Sequence, residues 1–510
     1  MTRSQARERR LSRRSGDGAS SETPLRRVSR VPLVVVLASL AAAGLIAGEP
    51  DKAGPPPPPE ASDPASMPPA GAQSSAWYCV GGPATDEVGV KEVITATNLS
   101  DSDTVAAVTL MSRGRSPESE EIAIPAHEMV QLIPSELSDQ PHPAVIIEPF
   151  SADVVVEQSL VSDGELEMGP CATQPSSRWY FADGTTVRGT EQWLVLFNPF
   201  GDDAIVDASF FTAEGLKVPE GLRGLEVPRR SSVAVKVHEK VRRQELVATV
   251  VDARVGRVIA QQSEIFLPDS GRRGITASFG AVAPSVEWWF ADGSSSRGQT
   301  RSIRVANPGG YDTDVDVQVV ADGDVVIEPV TVSVPRDSVV EVALGGCGQG
   351  DAPTCLRVPS GLAYSVLVSS ASDVPIVAQS IESWTDERDF TGATSLSGSR
   401  EPADRWAFAR ASVRDAESAS LAVLNPGSEP VSVDLALVAA GRLVEPAEVH
   451  ALEIPAGERR IIDLLDLLDA ATRGEIDAGL IVTSSAPVVA ERFVTRARAA
   501  TRSIGVPYRP

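Results

Sequence analysis

One order of landmarks recurs four times along this 510-residue chain, and no other feature limits its fold as tightly. A tryptophan opens each copy: Trp77 in WYCVGG, Trp179 in WYFADG, Trp288 in WWFADG and Trp406 in WAFARA. An apolar run then ends in Asn98, Asn198, Asn307 or Asn425, which lie 21, 19, 19 and 19 residues after those tryptophans. A valine-rich alternating run follows, then a strand ending in Pro125, Pro228, Pro335 or Pro455. Each copy closes on an apolar run that meets a polar side chain: Glu157, Gln261, Gln379 or Glu491.

Runs this short, rich in β-branched residues and bounded by Gly, Pro, Asp or Ser, are strands and turns. In NPFG, NPGG and NPGS the proline presets φ, the Asn oxygen can accept from a nearby backbone N–H, and glycine allows positive φ. About seven strands per copy predict an all-β chain of four tandem immunoglobulin-like sandwiches, at 76–175, 176–284, 285–402 and 403–510. A closed propeller-like ring of the repeats is the alternative. One patch has helical spacing: ERRIIDLLDLLDAATRGE puts Ile461, Leu464, Leu465 and Leu468 on one face, as a cap on the last copy.

The residues before the repeats are of another kind. Residues 1–30 carry nine Arg against Glu8, Asp17 and Glu22, a balance of 9 − 3 = +6. Residues 31–48, VPLVVVLASLAAAGLIAG, carry no charge and as a helix span roughly 27 Å, about one bilayer core. The basic flank predicts a cytoplasmic tail and an uncleaved single-pass membrane anchor. A cleaved signal peptide ending near Ala41–Ala43 is the alternative; either way the repeats are exported. Residues 49–75 include five consecutive prolines and read as a stiff stalk.

Net charge is −23, so the part beyond residue 30 carries −23 − 6 = −29. That balance argues against a nucleic-acid partner, which needs a basic face. Cys79, Cys171, Cys347 and Cys355 allow three pairings. Their places in the repeats favour Cys79–Cys171 and Cys347–Cys355, whereas a zinc set lacks any CxxC or Cys–His spacing.

The candidate chemistry is thin. Asp183 and Asp292 are weighed as catalytic carboxylates, which would need a second group at a defined distance, but Gly82 and Arg410 hold their place in the other copies, so an Asx-type turn is the expected role. No GxSxG elbow is present, and His127, His142, His238 and His450 fall at non-equivalent places. Asp312, Asp314 and Asp316 share one strand face, read as solvated acid and not as a calcium site. The recurrent Glu157, Gln261, Gln379 and Glu491 need buried partners, best supplied by backbone amides of the aromatic segment. Trp179, Tyr180, Trp288 and Trp289 are the one candidate ligand platform, for stacking on sugars. Their alternative role is one aromatic in a core and the next at a junction. No catalytic, cofactor or metal residue is assigned.

WYFADGTT, LVLFNPFG, LEVPRRSSVAV and VVAERF together resemble an actinobacterial cell-envelope family of unknown function, with repeats of WYFAEG-like, LxNPG and PVVAER-like segments. The resemblance runs from about residue 76 to 510; the first copy departs most, with CVGG and no proline after Asn98. It implies an N-terminal anchor and display outside the cell membrane, and it supplies no catalytic residue. The expected function is non-enzymatic binding or scaffolding towards envelope proteins or glycans. An accessory enzyme of cell-wall polymer assembly or hydrolysis is the alternative.

Overall fold

The computed structural model describes residues 63–508, except 70–71, 82–89, 112–116, 138–143, 163–164, 268–269, 348–353, 386–390, 473–477 and a few single positions. The expected tail, anchor and start of the stalk lie outside the described residues. Among the described residues no helix is long and apolar enough to cross a membrane.

The chain is all-β, and its strands form sheets of one recurring plan. In the second unit the opening strand Arg178–Phe181 pairs with Val247–Val255, which pairs with Ala204–Thr212. A second sheet places the strand ending in Asn198, Thr190–Asn198, between Ser231–Lys236 and the closing strand Ile259–Phe266. Gly274–Phe279 forms the edge of that sheet. The first and third units repeat both sheets. In the fourth unit one 18-residue closing strand, Gly479–Arg496, runs through both, so the two merge into nine strands.

Alternation explains the burial. In Ala204–Thr212 the odd-numbered residues from Ile205 to Ser209 are half-exposed and their neighbours buried, as a strand with one wet face requires. The core between the sheets gathers around the opening tryptophans: Trp77, Trp179, Trp288 and Trp406 are all 0–1 % exposed. The indole N–H of Trp179, Trp288 and Trp406 donates to the carbonyl of Val258, Ile376 and Val488 at 2.8, 2.8 and 2.9 Å. A buried indole keeps its polar edge satisfied this way.

The four asparagines share one role. Asn198 donates to the carbonyls of Asp202 and Val227 and accepts from the Phe200 N–H; Asn307 does the same with Tyr311, Val334 and Gly309. Asn98 and Asn425 repeat the pattern. The motif thus ties a turn to the strand that ends in proline, beyond the single accepted bond its sequence suggests.

The units close on themselves. Four edge strands, Glu165–Pro170, Gly274–Phe279, Thr391–Ser397 and Ala499–Ile504, each lie against the next, and the last returns to the first. They meet without a shared ladder. The approach is close: a Cβ on Gly274, whose φ is +128°, would stand 2.5 Å from the Ala393 nitrogen. Core clusters cross the unit boundaries accordingly. Val80, Met111 and Ile146 join the second unit's core, Tyr180 and Phe211 the third's, and Ala407, Ala409 and Ile481 the first's.

Two expectations change. The end of the presumed stalk is part of the folded body. Ala65 and Met67 are buried, Met67 N–H donates to the Pro507 carbonyl at 2.8 Å, and Asp63 pairs with Arg400 at 3.2 Å. Beyond the proline run, this segment has apolar side chains to bury. The helix starts later than its spacing suggests, at Leu464–Thr472. The Asp463 carboxylate accepts from the N–H groups of Leu465 and Asp466 and so caps it. Ile461 stays in the preceding strand, 45 % exposed, while Leu464, Leu467 and Leu468 are buried.

Candidate functional site

The polar residues that the repeats single out converge on the junctions between units. At the junction of the second and third units, the Ala182 and Asp183 N–H groups donate to Gln379 Oε1 at 2.6 and 2.8 Å. At the next, the Ala291 and Asp292 N–H groups donate to the two Glu491 oxygens at 2.8 and 3.0 Å. Where the fourth unit meets the first, Ala409 N–H donates to Glu157 at 3.0 Å. The first and second units meet through Gln158 Nε2 and Gln261 Oε1 at 2.9 Å. At Glu157, Gln379 and Glu491 the recurrent polar position therefore does receive amides of an aromatic segment, whereas Gln261 accepts from the Gln158 side chain. The segment belongs to the preceding unit.

Buried ion pairs reinforce three of these junctions. Asp183 and Arg304, both about 2 % exposed, are paired, and Arg304 also donates to the Gly184 carbonyl at 3.0 Å. Asp292 is held by Arg459 at 3.0 Å and by Arg502, which reaches Glu382 at 2.5 Å. Arg492 pairs with Glu157 at 2.9 Å and donates to Ser503 at 2.8 Å. Asp183 and Asp292 thus serve as anchors between units, a correction to the Asx-turn role expected from their copies.

Burial opposes charge on Asp292, but Arg502 and Arg459 outweigh it and hold the carboxyl below its usual range. Glu491 has weaker help. Burial pushes it up to about 7 against Arg301 and its two amide donors. Burial, then the Asp183 charge, also raises Glu264, which accepts from Thr185 N–H at 2.6 Å. Burial alone raises Glu92 to about 8.

Glu167 lies among the four central edge strands. Thr394 and Thr501 each donate to it at 3.0 Å, and burial lifts it well above the carboxylate range. Strand register gives Thr276, Thr394 and Thr501 the same place in the other three units. One carboxyl and three hydroxyls thus fill one layer.

Three of the four candidate platform aromatics are buried. Trp179 and Trp288 are within unit cores, Tyr180 is 8 % exposed, and Trp289 packs partly buried against Ala422, Leu424 and Val489 of the fourth unit. One aromatic in the core and the next at the junction is the arrangement found, with Trp289 half-buried. Cys79–Cys171 and Cys347–Cys355 are both bonded. Asp314 is exposed and Asp316 accepts from Thr331 at 2.5 Å. Among the described residues no group of three His, Cys, Asp or Glu is placed to hold a metal ion.

Sequence comparison of the copies passes over Arg304, Arg459, Arg492 and Arg502, because each has no charged equivalent in the other copies. Thr95, Val195 and Ala422, for instance, stand where the third unit has Arg304. Their one signal is an arginine interrupting an apolar strand, as in SIRVAN and RSIGVP.

A family model described as a family of unknown function (DUF5719) matches residues 148–379 and again 268–506. The second match starts 268 − 148 = 120 residues after the first, about one unit further along. No curated protein matches the chain.

Proposed function

The chain belongs to this DUF5719 family, and on that premise we propose that it is a non-enzymatic protein of the bacterial envelope, binding or scaffolding envelope proteins or glycans. Residues 31–48 anchor it in the cell membrane by a single pass, with the basic tail in the cytoplasm and the four units outside. Each unit is read as an immunoglobulin-like sandwich, on the strength of two sheets around one tryptophan-centred core. Two formed disulfides fit an oxidising compartment.

One observation carries the non-enzymatic reading. The carboxylates that a hydrolase would need, Asp183, Asp292 and Glu491, are 0–8 % exposed and committed to amides and guanidinium groups between units. General acid–base work needs a carboxyl within reach of substrate. Fractionation of cells expressing the chain tests the placement: the protein is expected in the membrane fraction, with the units open to protease added outside. Recovery in the cytosol overturns the reading. Capture of an envelope protein or glycan by the detergent-solubilised full chain is the matching test of binding.

A further inference from the structure

The third unit departs from the others where a pocket opens. Its turn reads ADGSSS, and its Cys347–Cys355 bond closes an insertion that the other copies lack. Cys355 pairs alongside Ala343, and Leu356 alongside Leu344, so the two residues that end the insertion run beside the strand Ser338–Leu344. Between that edge and the serine turn lies a pocket of about 310 Å³, lined by Ser294, Ser295, Ser296, Gln299, Arg301 and Ser360 among others.

Arg301 is the unusual member of that lining. It is 3 % exposed. Its Nη1 donates to the Asp292 carbonyl at 2.6 Å and its Nε to Ser380 at 2.9 Å. Its Nη2 makes no well-formed hydrogen bond among the described residues; the Tyr364 hydroxyl, likewise without one, neighbours it on the ring whose centroid lies 5.5 Å from the guanidinium. A buried guanidinium N–H left unmatched is costly, and guanidinium geometry suits an oxyanion. The equivalent residues are Glu92, Gln192 and Ala419, so the cation is peculiar to this unit. Gly293 leaves the room: a Cβ there would collide with the Arg301 guanidinium and come within 2.7 Å of Tyr364.

We infer that this pocket binds a small carboxylate carried on a hydroxylated molecule, as in a sugar acid, with Arg301 Nη2 meeting the carboxylate and the serine hydroxyls meeting the ligand's own. The charge count favours a carboxylate over a dianionic phosphate. Arg301 offers one unmatched donor nitrogen, enough for one carboxylate and short of what a dianion needs, since the Glu382 carboxylate behind Gln299 is already paired with Arg502. A pocket of this size falls at the small end of ligand sites. Hydroxyls, and no exposed aromatic face, supply the recognition.

The site deepens the binding role proposed above and fails separately from it. Glucuronate, glucose and inorganic phosphate are titrated calorimetrically into the detergent-solubilised full chain. Glucuronate is expected to bind at least about tenfold more tightly than glucose or phosphate. Arg301→Gln should weaken it by about tenfold or more. Because Arg301 also braces Asp292, Ser295→Leu serves as a second variant that fills the pocket and leaves those bonds in place; it should abolish binding with melting unchanged. Glucuronate binding no better than glucose, or undiminished binding in folded Ser295→Leu, overturns the inference. An envelope partner captured by a chain whose pocket takes no glucuronate would leave the broader role standing and remove only this site.

Discussion

The charges buried in ion pairs at the junctions find a counter-charge across the boundary between units. Asp183 and Arg304 are 121 residues apart and both about 2 % exposed. Such a pair adds little net stability, yet deleting one partner strands the other. Asp183→Ala should therefore cost about 3–5 kcal/mol, read from urea unfolding. A loss of function with unchanged unfolding would instead revive the catalytic reading. Glu491 sets a pH dependence. Its unfolded carboxyl titrates near 4.5 and its folded one at about 7, so the folded state keeps a proton that the unfolded state releases. The stability this supplies is full below about 4.5 and is lost as pH rises towards 7. Asp292 acts oppositely: its contribution is present above 3.8 and is lost as pH falls through its depressed folded value. The melting temperature should fall between pH 5 and pH 8, and Glu491→Gln should make that fall shallower. Glutamine is suited to the place, because Gln379 at the equivalent position takes both amide donors on one oxygen. An unchanged slope in the variant would reject this account. The recurrence of Glu157, Gln261, Gln379 and Glu491 made a buried polar role legible in the sequence. It left the donor's unit open, because Ala182 and Gln379 are 197 residues apart and periodicity says nothing about such a distance.

At the scale of the element, three units solve one packing problem alike and the first solves it covalently. Phe181, Phe290 and Phe408 lie against Gly280, Gly398 and Gly505, where a Cβ would come within 2.8, 2.8 and 2.7 Å of the ring. Strand register places Cys79 at the phenylalanine position and Cys171 at the glycine position of the first unit, and the two are bonded. An opening strand is thus joined to the end of its own unit either by a ring on a glycine or by a disulfide across 92 residues. Gly398→Ala should destabilise by about 1–3 kcal/mol in urea, the range for overpacking. Cys79→Phe with Cys171→Gly should retain more stability than Cys79→Ala with Cys171→Ala; the reverse order would refute the equivalence. Half of this was visible beforehand, since Cys79 replaces a phenylalanine in an otherwise matching motif. The glycine half needed the register. The helix shows the converse: Ile461 fits the apolar spacing, but Asp463 caps the turn after it and spacing is blind to that.

Over the whole molecule, strand grammar and repeat count were readable because each depends on neighbours in sequence. Closure stood only as the alternative to a linear array, because it depends on four edge strands, the farthest more than 300 residues apart, each lying against the next. Each junction also carries its own polar set: glutamines in one, Asp183–Arg304, Asp292 with Arg459 and Arg502, and Glu157–Arg492 in the others. Units assembled in another order would bury charges without partners. Removing residues 403–510 opens two junctions at once and exposes core shared with the first unit. The shortened chain should lose its cooperative thermal transition, whereas a linear array would keep three folded units; calorimetry distinguishes them. Met67 and Tyr508 pair side by side, so the chain enters the body where it leaves it. A circuit joined there has no obligatory first member. A circular permutant, with residues 67 and 508 linked and new ends cut between two other units, should reach the same fold, as translation order and spatial order need only agree up to rotation.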